Sequence, residues 1–230
     1  MIRMTPALPL LLLSHLAPAQ DAASLVKRLR AKMDVVNDYR ATGTLKTDVS
    51  FLRIPISKVN VLYRKPDRFR IRKDGGISLL PKGGISINLN AMLALGDVTA
   101  VDAGQSVLGG KTLRIVKMLP SSESSDIILS TLYIDEKELL VRKSVTTTRG
   151  NGTYEMEMDY GRQSGYGLPD KVVVSFDTRD YKLPKAITFE YETGEKPAKP
   201  AKEAKDKKGR VEIVYQSYII NKGIPDAEFK

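Results

Sequence analysis

Leu25, Val26, Leu29, Met33 and Val36 recur at helical spacing, while Lys27, Arg28, Arg30 and Lys32 take the opposite face. Asp21 or Ser24 can cap this segment, so the pattern predicts one amphipathic helix running to about Asn37. Its apolar stripe needs a cover, and the chain's own sheet is the expected one, with a membrane surface as the alternative for a basic helix. After Tyr39 the period changes from helical to two, the mark of strands with one wet face. Residues 40–50, 58–64 and 68–73 read as three antiparallel strands, with Pro55 and Pro66 marking strand ends. Residues 77–80 and 85–89 follow, then a short apolar helix at 90–95 closed by Gly96. Further strands are expected at 111–118, 127–134, 139–148, 154–160, 171–177, 187–192 and 211–219, separated by turn signals such as Gly150-Asn151-Gly152 and Leu183-Pro184.

About eleven or twelve strands with no helix regularly between them exclude a parallel α/β sheet. The pattern predicts a mainly β fold: a large curved antiparallel sheet, an incomplete β-barrel, covered by the N-terminal helix and the short inserted helix. A two-sheet sandwich is the competing way to bury the apolar face.

The start of the chain changes how the rest is read. Arg3, a leucine-dominated run from Ala7 to Ala17, and Ala17-Pro18-Ala19 have the form of a signal peptide cleaved after Ala19. The run is too short, and too interrupted by Ser14 and His15, for a spanning helix. Residues 20–230 then form a single exported domain, expected in the periplasm. With no cysteine there is no disulfide and no lipid-bearing N-terminal cysteine. Cleavage also removes His15, the only histidine, which excludes Ser-His-Asp and Cys-His catalysis and the usual zinc ligand sets. No cofactor and no metal site is expected. A carboxylate hydrolase remains formally open, but Glu155, Glu157 and Asp159 alternate with apolar residues as the wet face of a strand does.

Formal charge is +10, which suggests an acidic partner until its location is considered. Residues 195–210 form a Lys/Ala/Pro-rich run with no large apolar residue, read as a flexible solvated loop between strands. Without that loop and Arg3 the balance is about +5, so nucleic acid is not an expected partner.

The strands can be sorted by face. Phe69 and Ile71 share one side of their strand, and Arg68, Arg70 and Arg72 the other. Val59, Val61 and Tyr63 alternate with Lys58, Asn60 and Arg64, except that Leu62 falls on the polar side. The cations make an outer stripe and the apolar residues face inward, so aromatics and arginines are not together as a single-strand nucleic-acid groove requires. Tyr154, Met156, Met158 and Tyr160 form a second inward stripe, which is either ordinary core or an adaptable wall for variable apolar shapes.

A signal peptide, a helix opening Asp21-Ala22-Ala23-Ser24-Leu25, paired strands, then Lys65-Pro66 with Phe69 three positions on, resembles the periplasmic outer-membrane lipoprotein carriers, the LolA-like family. The ending `YQSYIINKGIPDAEFK` is similar to that family's closing strand and Phe-containing tail. The resemblance implies a half-barrel whose apolar cavity shields acyl chains of a lipoprotein or lipid cargo, taken from an inner-membrane donor complex and passed to an outer-membrane acceptor. It implies that Phe69 is a cavity-facing aromatic, with Ile71, Val59, Val61, Tyr63, Tyr154, Met156 and Met158 as further candidate lining. Lys65 falls where the family has an arginine that holds lid helices shut, which makes Lys65, Met92, Leu93 and Leu95 the candidate lid contacts. Lysine keeps the charge without the planar fork, and residues 74–87 lack the family's Asp-Gly-Lys hairpin, so a divergent member is implied. A monomer is expected. The alternative function is a sensor or scaffold of the same fold that binds an exported protein and regulates signalling.

Overall fold

The computed structural model describes residues 22–49, 52–66, 68–73, 98–150, 152–177 and 208–229. The helix α1 spans Ala22–Met33 and buries Ala22, Leu25, Val26, Leu29 and Met33, the stripe its spacing predicts. It stops short of Asn37 because the next turn is captured by Asn221 at the far end of the chain. Asn221 Nδ2 donates to the Val35 carbonyl at 2.7 Å, and its Oδ1 accepts from the Asn37 amide at 2.7 Å. Asp38 completes the clasp, its Oδ1 accepting from the amides of Lys222 and Gly223 at 3.1 and 3.0 Å.

Among the described residues ten strands follow: β1 Asp38–Val49, β2 Leu52–Arg64, β3 Arg68–Lys73, β4 Val98–Leu108, β5 Lys111–Pro120, β6 Ile127–Asp135, β7 Leu140–Thr148, β8 Thr153–Asp159, β9 Lys171–Asp177 and β10 Lys208–Ile220. They form one antiparallel sheet in the order β3-β2-β1-β10-β9-β8-β7-β6-β5-β4. Among the described strands, sequence neighbours are sheet neighbours except β3 and β4, which stand at the two ends of the order, while first and last strands pair in the middle. The result is a meander opened between β3 and β4, the incomplete barrel that the alternation predicts, with α1 on its inner face.

Three sequence expectations need correction. β4 is a strand that the pattern misses. Its side chains are mostly exposed, and a bulge between Asp102 and Gln105 breaks the alternation there. Asp102 Oδ1 fixes that bulge by accepting from the Gly104 amide at 2.9 Å. Pro55 does not end a strand: β2 runs through it, because the register against β1 shifts between Leu45 and Thr47 and leaves room for a residue that cannot donate. The basic run reaches only to residue 207, since β10 begins at Lys208, where Lys208, Gly209 and Arg210 pair with Asp177, Phe176 and Ser175. The rest of that run, the signal segment, and the elements expected at 77–80, 85–89, 90–95 and 187–192 lie outside the described residues.

The β1–β10 junction depends on one glycine. The register shifts between Thr42, opposite Ser217, and Gly43, opposite Tyr215, so Gln216 is the extra residue of a bulge. Arg162 Nη atoms cap its carbonyls, donating to Gln216 O at 2.9 Å and Tyr215 O at 3.1 Å. The bulge pulls β10 so close that a Cβ on Gly43 would stand 2.4 Å from the Val214 carbonyl oxygen.

Candidate functional site

The inner face is one apolar cluster. The expected lining residues Val59, Val61, Tyr63, Ile71, Tyr154, Met156 and Met158 are all buried in it, together with the stripe of α1, and Phe69 packs against it partly buried. Register explains the grouping. Val61 stands opposite Ile71 and Tyr63 opposite Phe69 across β2 and β3, while Met156 stands opposite Val174, and Met158 opposite Val172, across β8 and β9. The two candidate groups are separated in the sheet by β1, β10 and β9, and the cluster is continuous between them.

Other contributors went unremarked in the sequence. Tyr39 joins Tyr63 and Tyr218 at ring-centroid distances of 5.3 and 5.5 Å, and Tyr215 joins Tyr218 at 5.1 Å. Burial pushes the phenols of Tyr39, Tyr215 and Tyr218 well up, so these rings stay neutral. Tyr218 settles its hydroxyl on the Pro169 carbonyl at 2.7 Å. A polar line also crosses the face: Ser130, Ser144, Thr146 and Thr148 are buried, and Ser130 meets Thr146 at 3.0 Å. Strict alternation of residues 144, 146 and 148 with outer-face neighbours is the signal that places them inside.

Among the described residues α1 covers this face, and polar contacts tie it near its C-terminal end. Lys65, at the β2–β3 turn, places Nζ on Asp34, 3.1 Å from its carboxylate and hydrogen-bonded to its carbonyl. The Lys65 amide adds a bond to the Asn37 carbonyl at 2.9 Å. On the opposite wall Lys32 Nζ donates to the Glu138 carbonyl in the β6–β7 turn at 2.5 Å. Burial pushes the Lys32 ammonium down from its usual value, with Glu138 partly opposing. Lys65 is thus tied to Asp34 and Asn37, in the segment that follows α1; Met92, Leu93 and Leu95, expected beside it as lid contacts, lie outside the described residues. Lys65→Ala should leave the sheet intact and raise hydrogen exchange of the 30–37 amides by roughly fivefold, consistent with loss of about 1 kcal/mol of local contact. Unchanged protection there would show that Lys65 does not hold the helix.

The outer face of β1–β3 carries the cations, and the last residues of the chain lie on them. Arg40 pairs with Glu228, and Arg64 and Arg68 pair with Asp226. Arg64 Nη1 donates to the Ile224 carbonyl, and Arg72 Nη2 to the Glu228 carbonyl, each at 2.6 Å. The Phe229 ring sits 5.4 Å from the Arg64 guanidinium and 6.0 Å from that of Arg68. Leu62, the apolar residue out of pattern, is buried on this face between Arg40 and Arg70 in register.

The Arg64 hydrogen bond holds the Asp226 carboxyl below the usual range, and the Arg40 hydrogen bond does the same for Glu228. Both folded values are depressed, so the tail's attachment is full above the unfolded pKa and is lost as pH falls through the folded ones. The Phe229 ring resonances should report a docked tail at neutral pH and a released one well below about pH 4. Docking that persists unchanged at about pH 2 would contradict this assignment.

No family model and no curated relative matches the chain. Solved structures do. A domain from Vibrio parahaemolyticus described as an outer membrane lipoprotein-sorting protein domain superposes with TM-score 0.60 at 7% identity, covering 90% of this chain and 95% of that one. A LolA superfamily protein from Nitrosomonas europaea gives TM-score 0.57 at 10% identity, covering 91% and 97%. A DUF1329 family protein from Desulfovibrio piger gives 0.55 at 10% identity, covering 91% and 98%. At such identities the likeness is one of fold.

Proposed function

From the LolA-like fold of this chain, we propose that it is a soluble periplasmic carrier, shielding the acyl chains of a lipoprotein or lipid against the inner face of its half-barrel. The observation that carries the reading is the cover. A continuous apolar face drawn from strands across the sheet is covered, among the described residues, by the 12-residue α1, which Lys65 and Lys32 tie near its C-terminal end. Each methylene moved from water onto an apolar wall contributes roughly 0.8 kcal/mol, so acyl chains can take the place of the α1 stripe without loss of buried apolar area. Phe69 and Ile71 on the edge strand β3, and Tyr154, Met156 and Met158 farther along the sheet, are the proposed lining. The polarizable Met pair adapts to chains of different length.

Export agrees with this role: Arg3, the leucine-dominated run and Ala17-Pro18-Ala19 would deliver residues 20–230 to the periplasm. The carrier would then receive cargo from an inner-membrane donor and release it to an outer-membrane acceptor whose cavity binds better. Purified protein titrated with a fluorescent fatty-acyl probe tests the binding step. The expected result is saturable binding that an acylated lipopeptide displaces and the unacylated peptide does not; equal displacement by both peptides, or no binding, would overturn the reading.

A further inference from the structure

The arginine row on the outer face of β1–β3 is filled by the chain's own tail, and the manner of filling describes what else would fit. Glu228 meets Arg40 through both carboxylate oxygens, Asp226 is shared by Arg64 and Arg68, and the Phe229 ring lies against the same two guanidinium groups. The pattern recognised is acid, any residue, acid, aromatic. The Asp226 contacts are made at the surface, its side chain 64% exposed, and those of Glu228 are half-buried; exposed ion pairs are individually weak and exchange readily. The firm attachment lies upstream, where Lys222 and Gly223 are tied to Asp38 and Ile224 is buried. Residues 225–229 can thus leave the row while the clasp and the inner core stay as they are.

We infer that this face is a docking site for an acidic, aromatic-ended segment of a partner protein, and that residues 225–229 occupy it as a tethered competitor at high effective concentration. The inference stands apart from the lipid reading, since it concerns the opposite face of the sheet. Anionic lipid would satisfy the charge alone, whereas the two-pronged Arg40 pair and the stacked ring fit a peptide.

The test uses the full chain with Asp226→Asn, Glu228→Gln and Phe229→Ala, and a fluorescein-labelled peptide Gly-Ile-Pro-Asp-Ala-Glu-Phe-Lys, the sequence of residues 223–230. The weakened tail should admit the peptide at least about tenfold more tightly than wild type, with binding reduced in about 0.5 M salt. Adding Arg40→Glu and Arg64→Glu should abolish it, and a peptide with lysine at both acid positions should not bind. Phe229→Ala alone, which keeps both carboxylates, should shift affinity the same way by less. Equal peptide affinity in wild type and the weakened-tail variants would overturn the inference, as would binding of phosphatidylglycerol vesicles in place of the peptide.

Discussion

Phe69→Glu should give a folded protein that binds a fatty-acyl probe at least about tenfold more weakly than wild type, a loss of about 1.4 kcal/mol or more. Phe69 is partly buried on β3, which among the described strands pairs with β2 alone, so the smaller but polar glutamate side chain can be accommodated without opening the core. Its inward face is the one proposed to hold cargo, and a carboxylate there either stays ionised against hydrocarbon or is protonated, both at a cost. Arg70→Glu, on the outer face of the same strand, should bind the probe as wild type does. Circular dichroism separates a binding defect from a folding defect. If Phe69→Glu is folded and binds normally, the cargo does not sit on this wall.

Gly43→Ala should lower stability by about 3 kcal/mol, since the new methyl meets backbone and not a side chain that can rotate away. The nearest atoms are the Val214 carbonyl oxygen at 2.4 Å and its carbon at 3.2 Å. Relief requires β10 to move from β1, which would disturb the pairing that joins the first and last strands and the Arg162 bonds at the bulge. A drop of roughly 10 °C in melting temperature is expected. Gly165→Ala, with nothing within 4 Å of the added carbon, should change stability by less than about 0.5 kcal/mol. A near-neutral Gly43→Ala would mean that the bulge is not as tight as described.

The parts of this fold that were legible are those in which one residue's environment repeats along the chain. Leu25, Val26, Leu29 and Met33 declare α1 because each meets the same core at helical spacing. Tyr154, Met156 and Met158 declare β8 because each faces inward at period two. β4 stayed hidden because only its start, at Val98 and Ala100, packs against the core while most of the strand is exposed, and the bulge between Asp102 and Gln105 interrupts the alternation. Lys208 to Arg210 were hidden for the converse reason: their order comes from backbone pairing with β9, and for Arg210 also with Asp48 of β1, which composition does not record.

The two faces of β3 were separable by alternation alone, and so were the candidate lining residues. That α1 covers the sheet was legible from its apolar stripe, but the contacts that fix it were not, since Lys65 meets Asp34 and Lys32 meets Glu138 across turns distant in sequence. The tail's place on Arg40, Arg64 and Arg68 likewise joins residues more than a hundred and fifty positions apart. Nothing local to `IPDAEFK` says where its two acids go.

Whether acyl chains occupy the inner face in place of the α1 stripe can be read by native mass spectrometry of protein isolated from its own periplasm without detergent. The expected result is a species heavier than residues 20–230 by the mass of an acylated lipid or lipoprotein, lost on gentle activation and absent from Phe69→Glu prepared the same way. Wild-type protein carrying no such mass under conditions that preserve a known lipid complex, or Phe69→Glu carrying it in the same proportion, would contradict it.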